Sequence, residues 1–369
     1  MSAYRFALIG SGWRASFYAR IAEKMPERFQ LACTWVHDSA KAEKWQWEHG
    51  GAILPRPEDA LAERPDFVVL ALNKQYSLPY ILDMLKTDVP LLLETPPAVS
   101  VPDLTRVWEA AKARKAPVLV AEQYPDQPRF SAWKKAIDLG MIGAPSNLSI
   151  SAVHGYHAMA LIQVFLDTRG ENACISGAQY SFPVRKTGNR SGMILNGEIH
   201  TPPRDRAVIQ FAGGKTAFYD FSGEQYHSAI RTSHFSVQGE CGEIFDESIR
   251  FLNRDGFPVE EHLLHRHLGF GDCNLYQLQG LTLGDQWLYR NPLPQVTLSD
   301  DEIAIAMVML RMGQISRGET AEGQAYSLAQ ALQDAYLAAC MRRAIDMKQC
   351  VTTEEMPWLG ALRKELLHV

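Results

Sequence analysis

The sequence predicts a doubly wound α/β domain with a parallel sheet, followed by an α+β domain with a large, open and mostly antiparallel sheet. Short apolar runs alternate with helical segments through residues 4–121, which is typical of successive βαβ units. A glycine-rich turn separates the first apolar run from the first helix. From residue 178 to about residue 296, short alternating segments are separated by Gly, Asn and Pro, which indicates antiparallel strands. We therefore predict two domains, at residues 1–123 and 124–369.

The first turn of the chain has the pattern of a dinucleotide-binding loop. An apolar run at residues 6–9 leads into Gly10, and the helix that follows begins near Arg14. In the pattern G-x-G-x-x-A, Gly10 permits the tight turn, Gly12 lets a pyrophosphate approach the backbone, and Ala15 lets helix and strand pack closely. The phosphates would bind the N–H groups at the helix N-terminus. We expect the cofactor to contact Gly10, Ser11, Gly12, Trp13 and Arg14.

Later segments continue this alternation. Strands are predicted at residues 29–36, 52–54, 67–72, 90–94 and 116–121. Helices are predicted at residues 39–45, 56–61, 78–86 and 103–115, with Ser39 capping the first and Pro57 opening the second. In the second domain, helices are predicted at residues 130–139, 158–166, 300–317 and 324–347, and a strand at 147–152. Strands that alternate with helices at this spacing should be parallel.

Composition argues against several classes of function. The 369 residues carry a net charge of -5, with 46% hydrophobic and 21% charged residues. A negative net charge argues against nucleic acid and anionic membranes as partners. No apolar run approaches the ~20 residues of a membrane span. The chain enters its first strand at once, so we expect no signal peptide.

The cysteines and histidines give no metal-site or disulfide signal. The six cysteines are scattered, and none forms C-x-x-C; they are Cys33, Cys174, Cys241, Cys273, Cys340 and Cys350. This spacing favours buried or idle thiols in a reduced, cytoplasmic setting. A surface or oligomer-interface segment explains His262, His265 and His267 better than a zinc site does. We therefore predict no metal.

The order of these elements, together with three stretches of sequence, resembles the Gfo/Idh/MocA family of nicotinamide-dependent oxidoreductases. The stretches are ALIGSGWRA (7–15), RPEDALAERPDFVVLAL (56–72) and LLLETPPAVS (91–100), and residues 138–166 extend the match. The resemblance covers about the first half of the chain in register, and the rest in general architecture. It implies a Rossmann domain followed by an open antiparallel sheet. One face of that sheet would cover the substrate, and the other would assemble a homodimer or homotetramer.

The positions that carry function in the family are only partly filled here. The family motif E-K-P falls on Glu94-Thr95-Pro96, so a threonine stands where the family has a lysine beside the nicotinamide. A D-x-x-x-H pattern has Val153 in place of its acid and keeps its histidine as His157. Asn73 and Ser77 replace a proline and a histidine after the fourth strand. Matched by position, the resemblance implies cofactor contacts at Leu72, Asn73, Glu94 and Thr95, and Thr95 would also donate a hydrogen bond during catalysis.

His157 is the leading catalytic candidate. The resemblance implies that it starts a helix where substrate meets the nicotinamide. A neutral imidazole can accept the hydroxyl proton as hydride leaves, because its unperturbed pKa of about 6.5 suits work near neutrality. His154 and Tyr156 lie beside it in the sequence and are candidates for substrate binding. A structural histidine that caps or packs the helix is the alternative for His157.

The ends of two predicted strands supply further candidates. Lys74 follows the strand at residues 67–72, and ligands bind at the carboxyl ends of such strands. Lys74 would therefore take the catalytic role of the family lysine that Thr95 replaces. A solvated surface lysine is the alternative. Glu122, Gln123 and Tyr124 end the last parallel strand. Glu122 or Tyr124 would transfer a proton or bind a sugar hydroxyl, and Gln123 would bind substrate; a hydrogen-bonded hinge is the alternative.

The choice between NAD and NADP depends on the end of the strand at residues 29–36. NAD sites commonly place an acid there to bind the ribose hydroxyls. In register with the family that position is Val36, followed by His37 and Asp38. Asp38 reaches the ribose if the loop is shifted, so His37 and Asp38 are the predicted contacts. We expect NAD or NADP, with a slight preference for NAD.

Three functions stay open from the sequence. The first is an NAD(P)-dependent dehydrogenase that transfers a hydride between the nicotinamide and a hydroxyl or carbonyl carbon of a sugar or sugar-like polyol. The second is a redox-neutral elimination, epimerisation or glycoside cleavage through transient oxidation. The third is a nucleotide-binding sensor or scaffold with little catalysis. The glycine-rich turn and His157 favour the first, whereas Thr95 and Val153 motivate the other two.

Overall fold

The computed structural model describes residues 2–269 and 277–367, so Cys273 lies outside the described residues. The chain divides into two compact units. The first consists of Met1–Pro128, His267–Leu278 and Asn291–Ala335, and the second of Arg129–Arg266, Gln279–Arg290 and Tyr336–Val369.

The first unit contains a parallel sheet that has six strands within residues 2–269. They are β1 (Tyr4–Ile9), β2 (Phe29–Trp35), β3 (Ala52–Leu54), β4 (Phe67–Leu70), β5 (Leu91–Leu93) and β6 (Val118–Val120). Their spatial order is β3-β2-β1-β4-β5-β6, and all neighbours are parallel. The order reverses between β1 and β4, and ligands bind beyond the carboxyl ends of strands at such a point. The predicted doubly wound Rossmann-like sheet is confirmed.

Helices cover this sheet and continue through the second unit. They are α1 (Ala15–Lys24), α2 (Ser39–His49), α3 (Ser77–Met84), α4 (Val101–Ala111), α5 (Pro128–Asp138), α6 (Gly155–Leu166), α7 (Asp300–Ser316), α8 (Leu328–Met347) and α9 (Leu359–Leu366). Short 3-10 helices occur at Pro57–Glu63, Tyr124–Asp126 and Gly223–Tyr226. The first of these replaces the predicted α-helix at residues 56–61.

The structure corrects one predicted N-cap and one predicted helix start. The N-cap of α2 is Asp38, not Ser39, because the Asp38 carboxylate accepts a hydrogen bond from the N–H of Ala40. Asp and Ser are about equally good N-caps, so local sequence does not separate them. The predicted helix at 324–347 begins only at Leu328, because the backbone before it pairs with β6: Val120 N–H donates to the oxygen of Tyr326.

The second unit is built on a mixed, mostly antiparallel sheet. The remaining strands are β7 (Pro145–Ser151), β8 (Ala173–Ser181), β9 (Val184–Arg185), β10 (Gly188–Asn189), β11 (Gly192–Met193), β12 (Ile199–His200), β13 (Pro203–Phe211), β14 (Thr216–Phe221), β15 (His234–Gly239), β16 (Gly242–Phe245), β17 (Ser248–Leu252), β18 (Pro258–Leu268), β19 (Gln277–Leu283), β20 (Gln286–Arg290) and β21 (Val351–Thr352). In the described part of the chain the large sheet has the order β20-β19-β18-β17-β16-β15-β7-β14-β13-β8-β21. β7 and β14 pair in parallel, and the predicted open, mostly antiparallel sheet is confirmed.

The two faces of the large sheet differ in polarity. Leu148 and Ile150 of β7 are buried on the inner face, where Phe130 and Phe165 of α5 and α6 pack edge-on against Phe235 of β15. Because successive strand residues alternate in direction, the residues between them lie on the opposite side. We call that side the outer face; it includes Ser149, Phe218 and Ser236, which are cross-strand neighbours.

One pair of cysteines departs from the expectation of unlinked thiols. Cys174 and Cys350 form a disulfide, with Cα atoms 6.6 Å apart. Cys174 is paired with Thr352 because the short strand β21 lies against β8, which brings residue 350 beside residue 174. Their sequence separation of 176 residues hides this proximity. The expectation of reduced thiols is therefore wrong for this pair.

A further negative finding concerns membranes. Among the helices within residues 2–269 and 277–367, none is both long and apolar enough to cross a bilayer.

Candidate active site

The turn after β1 fits a dinucleotide pyrophosphate. Gly10 has φ +125°, and a Cβ there would lie 2.2 Å from the backbone oxygen of Ala71. Only glycine satisfies both conditions, so Gly10 is required by the protein's own packing. Gly12 is different: its φ lies outside the left-handed range and a Cβ would meet no atom within 4 Å. Its lack of a side chain therefore leaves space that a ligand can use.

The N-terminus of α1 opens onto this space. Arg14 is the N-cap residue and makes no side-chain capping bond, and Ala15 is fully buried beneath the turn. The N–H groups of the first helical turn and the helix dipole both favour an anion at this position. Ser11 is half-buried and Trp13 is 52% exposed, beside the turn. The geometry suits phosphate oxygens.

Arg14 turns from the glycine-rich loop toward two carboxylates. Its guanidinium lies over the rings of Trp13 and Phe17, at 5.0 and 4.8 Å from their centroids. Nη1 donates to Oδ2 of Asp301 at 2.9 Å, and Nε is 4.0 Å from Oε1 of Glu94. Because these partners follow β5 and begin α7, the contacts fix the guanidinium over the carboxyl ends of the strands.

Glu94 is half-buried and is the centre of this network. The Tyr18 hydroxyl donates to Oε1 of Glu94 at 2.5 Å, and Oε2 accepts from the N–H of Thr95 at 3.1 Å. Burial raises the pKa of the Glu94 carboxyl, and the nearby Arg14 opposes that shift. Burial also raises the pKa of Tyr18 well above its ordinary value. Tyr18 is therefore a permanent hydrogen-bond donor near neutral pH.

Glu122 lies at the end of β6 and is completely buried. Its Oε1 accepts a hydrogen bond from the N–H of Tyr124 at 3.0 Å. Burial raises the pKa of Glu122 to about 8, with the Tyr124 bond and Arg14 opposing the shift and Asp301 and Asp126 adding to it. Glu122 is therefore mostly protonated at neutral pH, when it can donate a hydrogen bond or a proton.

Two glutamines that follow Glu122 in the sequence form hydrogen bonds to Arg14 or to its partner Asp301. With its amide oxygen turned toward Arg14, Gln123 accepts from Nη2 at 3.1 Å and donates to the oxygen of Ala121 at 3.1 Å. Gln127 donates to Oδ1 of Asp301 at 2.9 Å. The structure therefore brings Arg14, Glu94 and Gln123 into one network, with Glu122 close enough to feel the charge of Arg14.

The other predicted residues at this edge are more exposed than Glu122. Lys74 and Asn73 are exposed on the loop after β4, where the Asn73 side chain accepts from the N–H of Gln75. Leu72 is half-buried beside the Gly10 turn. Thr95, half-buried, follows Glu94, and its bond to Pro96 is cis. Tyr124 is also half-buried.

At the end of β2, a buried apolar residue is followed by exposed polar residues. Val36 is buried in the core of the first unit, so it offers no polar group to a ribose. His37 is exposed, with its ring 5.6 Å from that of Trp35. Asp38 caps α2 and pairs with Lys41, with Oδ2 and Nζ 3.3 Å apart.

Three predicted residues come together in the second unit, at the start of α6. His157 and Tyr156 are buried, whereas His154, the N-cap residue, is exposed. The His154 and His157 rings are 4.6 Å apart, and those of Tyr156 and His157 are 5.3 Å apart. The Tyr226 hydroxyl accepts from the N–H of His154 at 3.0 Å.

Sequence reasoning misses three members of these clusters. Tyr18 lies one helical turn after Arg14, so its place on the same face of α1 was readable from the spacing. Asp301 lies 287 residues from its partner Arg14, and Tyr226 lies 72 residues from its partner His154. No local signal in the sequence connects such distant positions.

Comparison with known proteins supports the assignment of the first unit. Residues 4–122 match the GFO_IDH_MocA model, described as an oxidoreductase family with an NAD-binding Rossmann fold. A comparison with curated proteins found no match.

Several solved structures share the fold of nearly the whole chain. One is a levoglucosan dehydrogenase in complex with NADH and L-sorbose, with 13% identity, a TM-score of 0.69, and 96% of this chain and 100% of that chain covered. Another is an oxidoreductase from Agrobacterium radiobacter in complex with NAD+, L-tartaric acid and magnesium. It has 14% identity and a TM-score of 0.66, and 98% of this chain and 99% of that chain are covered. A third is an oxidoreductase from Thermotoga maritima. It has 17% identity and a TM-score of 0.63, and 98% of this chain and 99% of that chain are covered. At these identities the likeness is one of fold.

Proposed function

We propose that this chain, an NAD(P)-dependent oxidoreductase whose residues 4–122 belong to the Gfo/Idh/MocA family, interconverts a hydroxyl and a carbonyl group of a sugar or sugar-like polyol. The observation that carries the proposal is the glycine-rich turn. Gly10 is needed by the protein's own packing, whereas Gly12 leaves open space in front of the N-terminus of α1. A bound pyrophosphate accounts for that space. The sugar-related ligand of the levoglucosan dehydrogenase structure supports the substrate class.

The residues on the carboxyl edge of the parallel sheet would hold the two halves of the cofactor. Ser11, Trp13 and Arg14 would border the pyrophosphate, and His37 and Asp38 would meet the adenosine ribose. The nicotinamide half would lie beyond β4 and β5, against Leu72, Asn73, Glu94 and Thr95. When bound, the nicotinamide supplies the hydride acceptor or donor.

We propose that His157 is the acid/base group for the substrate hydroxyl. It lies in the first turn of α6 beside the exposed His154, and a neutral imidazole can accept the proton that the hydroxyl loses. His154 and Tyr156 would bind further substrate hydroxyls, as would Gln123.

Glu122 is the second proposed proton-transfer group, because it holds a proton at neutral pH in a buried setting. Such a carboxylic acid can donate to a substrate oxygen and later take the proton back. Thr95, Tyr124 and Lys74 would orient the reacting hydroxyl by donating hydrogen bonds.

The outer face of the large sheet is the proposed surface for assembly. It carries a groove of about 870 Å³, with Phe218 43% and Tyr180 48% exposed. Exposed aromatic patches of this kind mark protein interfaces, and a two-fold pair would bury each copy's patch against the other. Light scattering should show a dimer or tetramer that Phe218→Glu converts to monomers. A wild-type protein that is monomeric at micromolar concentration would contradict this assembly.

The function is tested by binding first and turnover second. NADH titrated into the protein should bind with micromolar affinity, as enhanced or shifted nicotinamide fluorescence. A panel of aldoses, anhydrosugars, polyols and sugar acids is then screened with NAD+ and NADP+ for absorbance at 340 nm. Turnover that accumulates reduced cofactor supports the dehydrogenase. Conversion of the substrate, measured by chromatography, without reduced cofactor supports the redox-neutral alternative, and binding with no conversion of any substrate supports the sensor.

On an active substrate, His157→Gln should lower kcat by roughly 10²–10⁴. NADH affinity serves as the control and should stay within about twofold, because the proposed partner of His157 is the substrate hydroxyl and not the cofactor. Unchanged kcat would refute the assignment of His157.

A further inference from the structure

The chain between β8 and β13, residues 182–202, leaves the large sheet of the second unit. We call these residues the arm. The arm folds into two short antiparallel ribbons, in which β9 pairs with β12 and β10 pairs with β11. Lys186 forms an ion pair with Glu198 across the first ribbon, and its N–H donates to the backbone oxygen of Glu198 at 2.9 Å. The arm therefore has hydrogen-bonded structure of its own.

The arm packs against residues 227–230, which follow the 3-10 helix at Gly223–Tyr226. The N–H of Ala229 donates to Oγ1 of Thr187 at 2.8 Å. A Cβ on Gly188 would lie 2.7 Å from the backbone oxygen of His227, so the two backbones are in close contact. These contacts fix the arm to the segment that lies beyond Tyr226.

A cavity of about 660 Å³ lies between the arm and residues 227–230. This volume falls within the roughly 300–1,000 Å³ of small-molecule sites. The lining surface is mostly apolar and includes Met193, Leu195 and Ile230. Met193 is 80% exposed and Leu195 is 79% exposed. Contiguous apolar side chains that face solvent mark a place where another molecule binds.

The cavity adjoins the cluster of aromatic residues at the start of α6. Its lining residue His227 directly follows Tyr226, whose hydroxyl accepts from the N–H of His154 at 3.0 Å. The Tyr226 and His154 rings are 6.3 Å apart, and the His154 and His157 rings are 4.6 Å apart. All four residues belong to the second unit. A ligand that contacts His157 therefore needs to extend only past His154 and Tyr226 to enter the cavity.

We propose that the substrate carries an alkyl or aryl group on its sugar or polyol part, and that this group binds in the arm cavity; the inference rests on the proposed function. The polar part would meet His157, and the apolar group would lie against Met193 and Leu195. A sugar alone gains little from such walls, because its hydroxyls would lose their hydrogen bonds to water there. An apolar substituent gains free energy in proportion to the apolar area that it buries.

The test is a series of n-alkyl β-D-glycosides, titrated into the NADH-bound protein by isothermal titration calorimetry. Methyl, butyl and hexyl glycosides of glucose, galactose and mannose are compared below their micelle concentrations. With the best head group, the hexyl glycoside should bind at least about tenfold more tightly than the methyl glycoside, because each buried CH₂ adds to the affinity. Against a sugar that the protein oxidises, the hexyl glycoside should be a competitive inhibitor.

Two substitutions in the cavity wall test where the alkyl chain binds. Met193→Ser and Leu195→Ser should each weaken hexyl glycoside binding by about three- to fivefold, because each removes apolar surface from the wall. The affinities for NADH and for the methyl glycoside should stay within about twofold. Both side chains are exposed, so the fold should tolerate the change. Leu264→Ser is the matched control, because Leu264 is 43% exposed on β18 and does not line the cavity.

The outcomes separate this inference from the proposed function. Affinity that does not depend on chain length with any head group would overturn the inference, as would equal losses in Leu195→Ser and Leu264→Ser. Inhibition that is not competitive would place the alkyl chain away from the substrate. A change of oligomeric state in Leu195→Ser, measured by light scattering, would assign the arm to a second copy of the chain instead. A protein that does not bind NADH would overturn the proposed function itself.

Discussion

The end of β2 and the ends of β5 and β6 share one edge of the parallel sheet, but they hold charge in opposite ways. After β2, Asp38 and Lys41 form an exposed pair. After β5 and β6, Glu122 is buried, and Glu94 is half-buried and bonded to Tyr18. Exposed pairs contribute about 0–1 kcal/mol, whereas breaking a buried one costs about 3–5 kcal/mol. A substitution in the first region should therefore change stability less than a substitution in the second.

A large loss of stability is expected from removing the half-buried Glu94 carboxylate. Glu94→Ala leaves the Tyr18 hydroxyl without its acceptor and Arg14 with one carboxylate fewer. We expect the free energy of unfolding in urea to fall by roughly 3 kcal/mol. Glu94→Gln keeps an acceptor for Tyr18 and should lose less. A loss below about 1 kcal/mol for Glu94→Ala would contradict the expected contribution of this network to stability.

Glu122 should make the stability of the protein depend on pH. Its pKa is raised from 4.5 to about 8 in the folded protein, so the folded state binds more protons than the unfolded state between these values. Its contribution to stability is fully present below pH 4.5 and is lost as pH rises through about 8, at up to about 1.4 kcal/mol per pH unit. Thermal unfolding from pH 5 to 9 should show a steeper decline in wild type than in Glu122→Gln. Parallel curves would contradict the buried, protonated state.

The smallest expected effect belongs to the exposed pair. Lys41→Ala should change the free energy of unfolding by less than about 0.5 kcal/mol, because its partner Asp38 stays solvated and keeps its cap on α2. Urea unfolding of this variant beside Glu94→Ala measures the contrast directly. A loss above 1 kcal/mol would erase the difference between the two regions.

Local patterns predicted the parallel half of this fold and the glycine-rich turn. The turn is readable because Gly10, Gly12 and Ala15 lie within a few residues of each other in the sequence. Glu122 was predicted as a candidate because residues after parallel strands face a ligand edge, and Glu94 was predicted from the family motif at Glu94-Thr95-Pro96. The sequence did not predict that burial raises the pKa of both carboxyl groups.

Contacts between distant segments account for what the sequence did not predict. Asp301 reaches Arg14 from α7, and Cys350 reaches Cys174 because β21 pairs with β8. The capping role of Asp38 escaped prediction for another reason: Asp38 and Ser39 are neighbouring residues of similar capping strength. The contacts of Asp301 and Cys350 depend on tertiary pairing, which leaves no pattern in the sequence. The choice of Asp38 over Ser39 depends on nearly equal local energies, which leave none either.

The most direct test of the central claim compares Gly10→Ala with Gly12→Ala, read out as stability and as NADH affinity. At Gly10 the new Cβ meets the Ala71 oxygen at a φ of +125°, so stability should fall by roughly 3 kcal/mol or more. At Gly12 the Cβ enters open space, so stability should change by less than about 0.5 kcal/mol. NADH affinity should nevertheless fall at least about tenfold in Gly12→Ala, because the methyl group occupies the path of the pyrophosphate. A Gly12→Ala protein that binds NADH as tightly as wild type would contradict a dinucleotide at this turn.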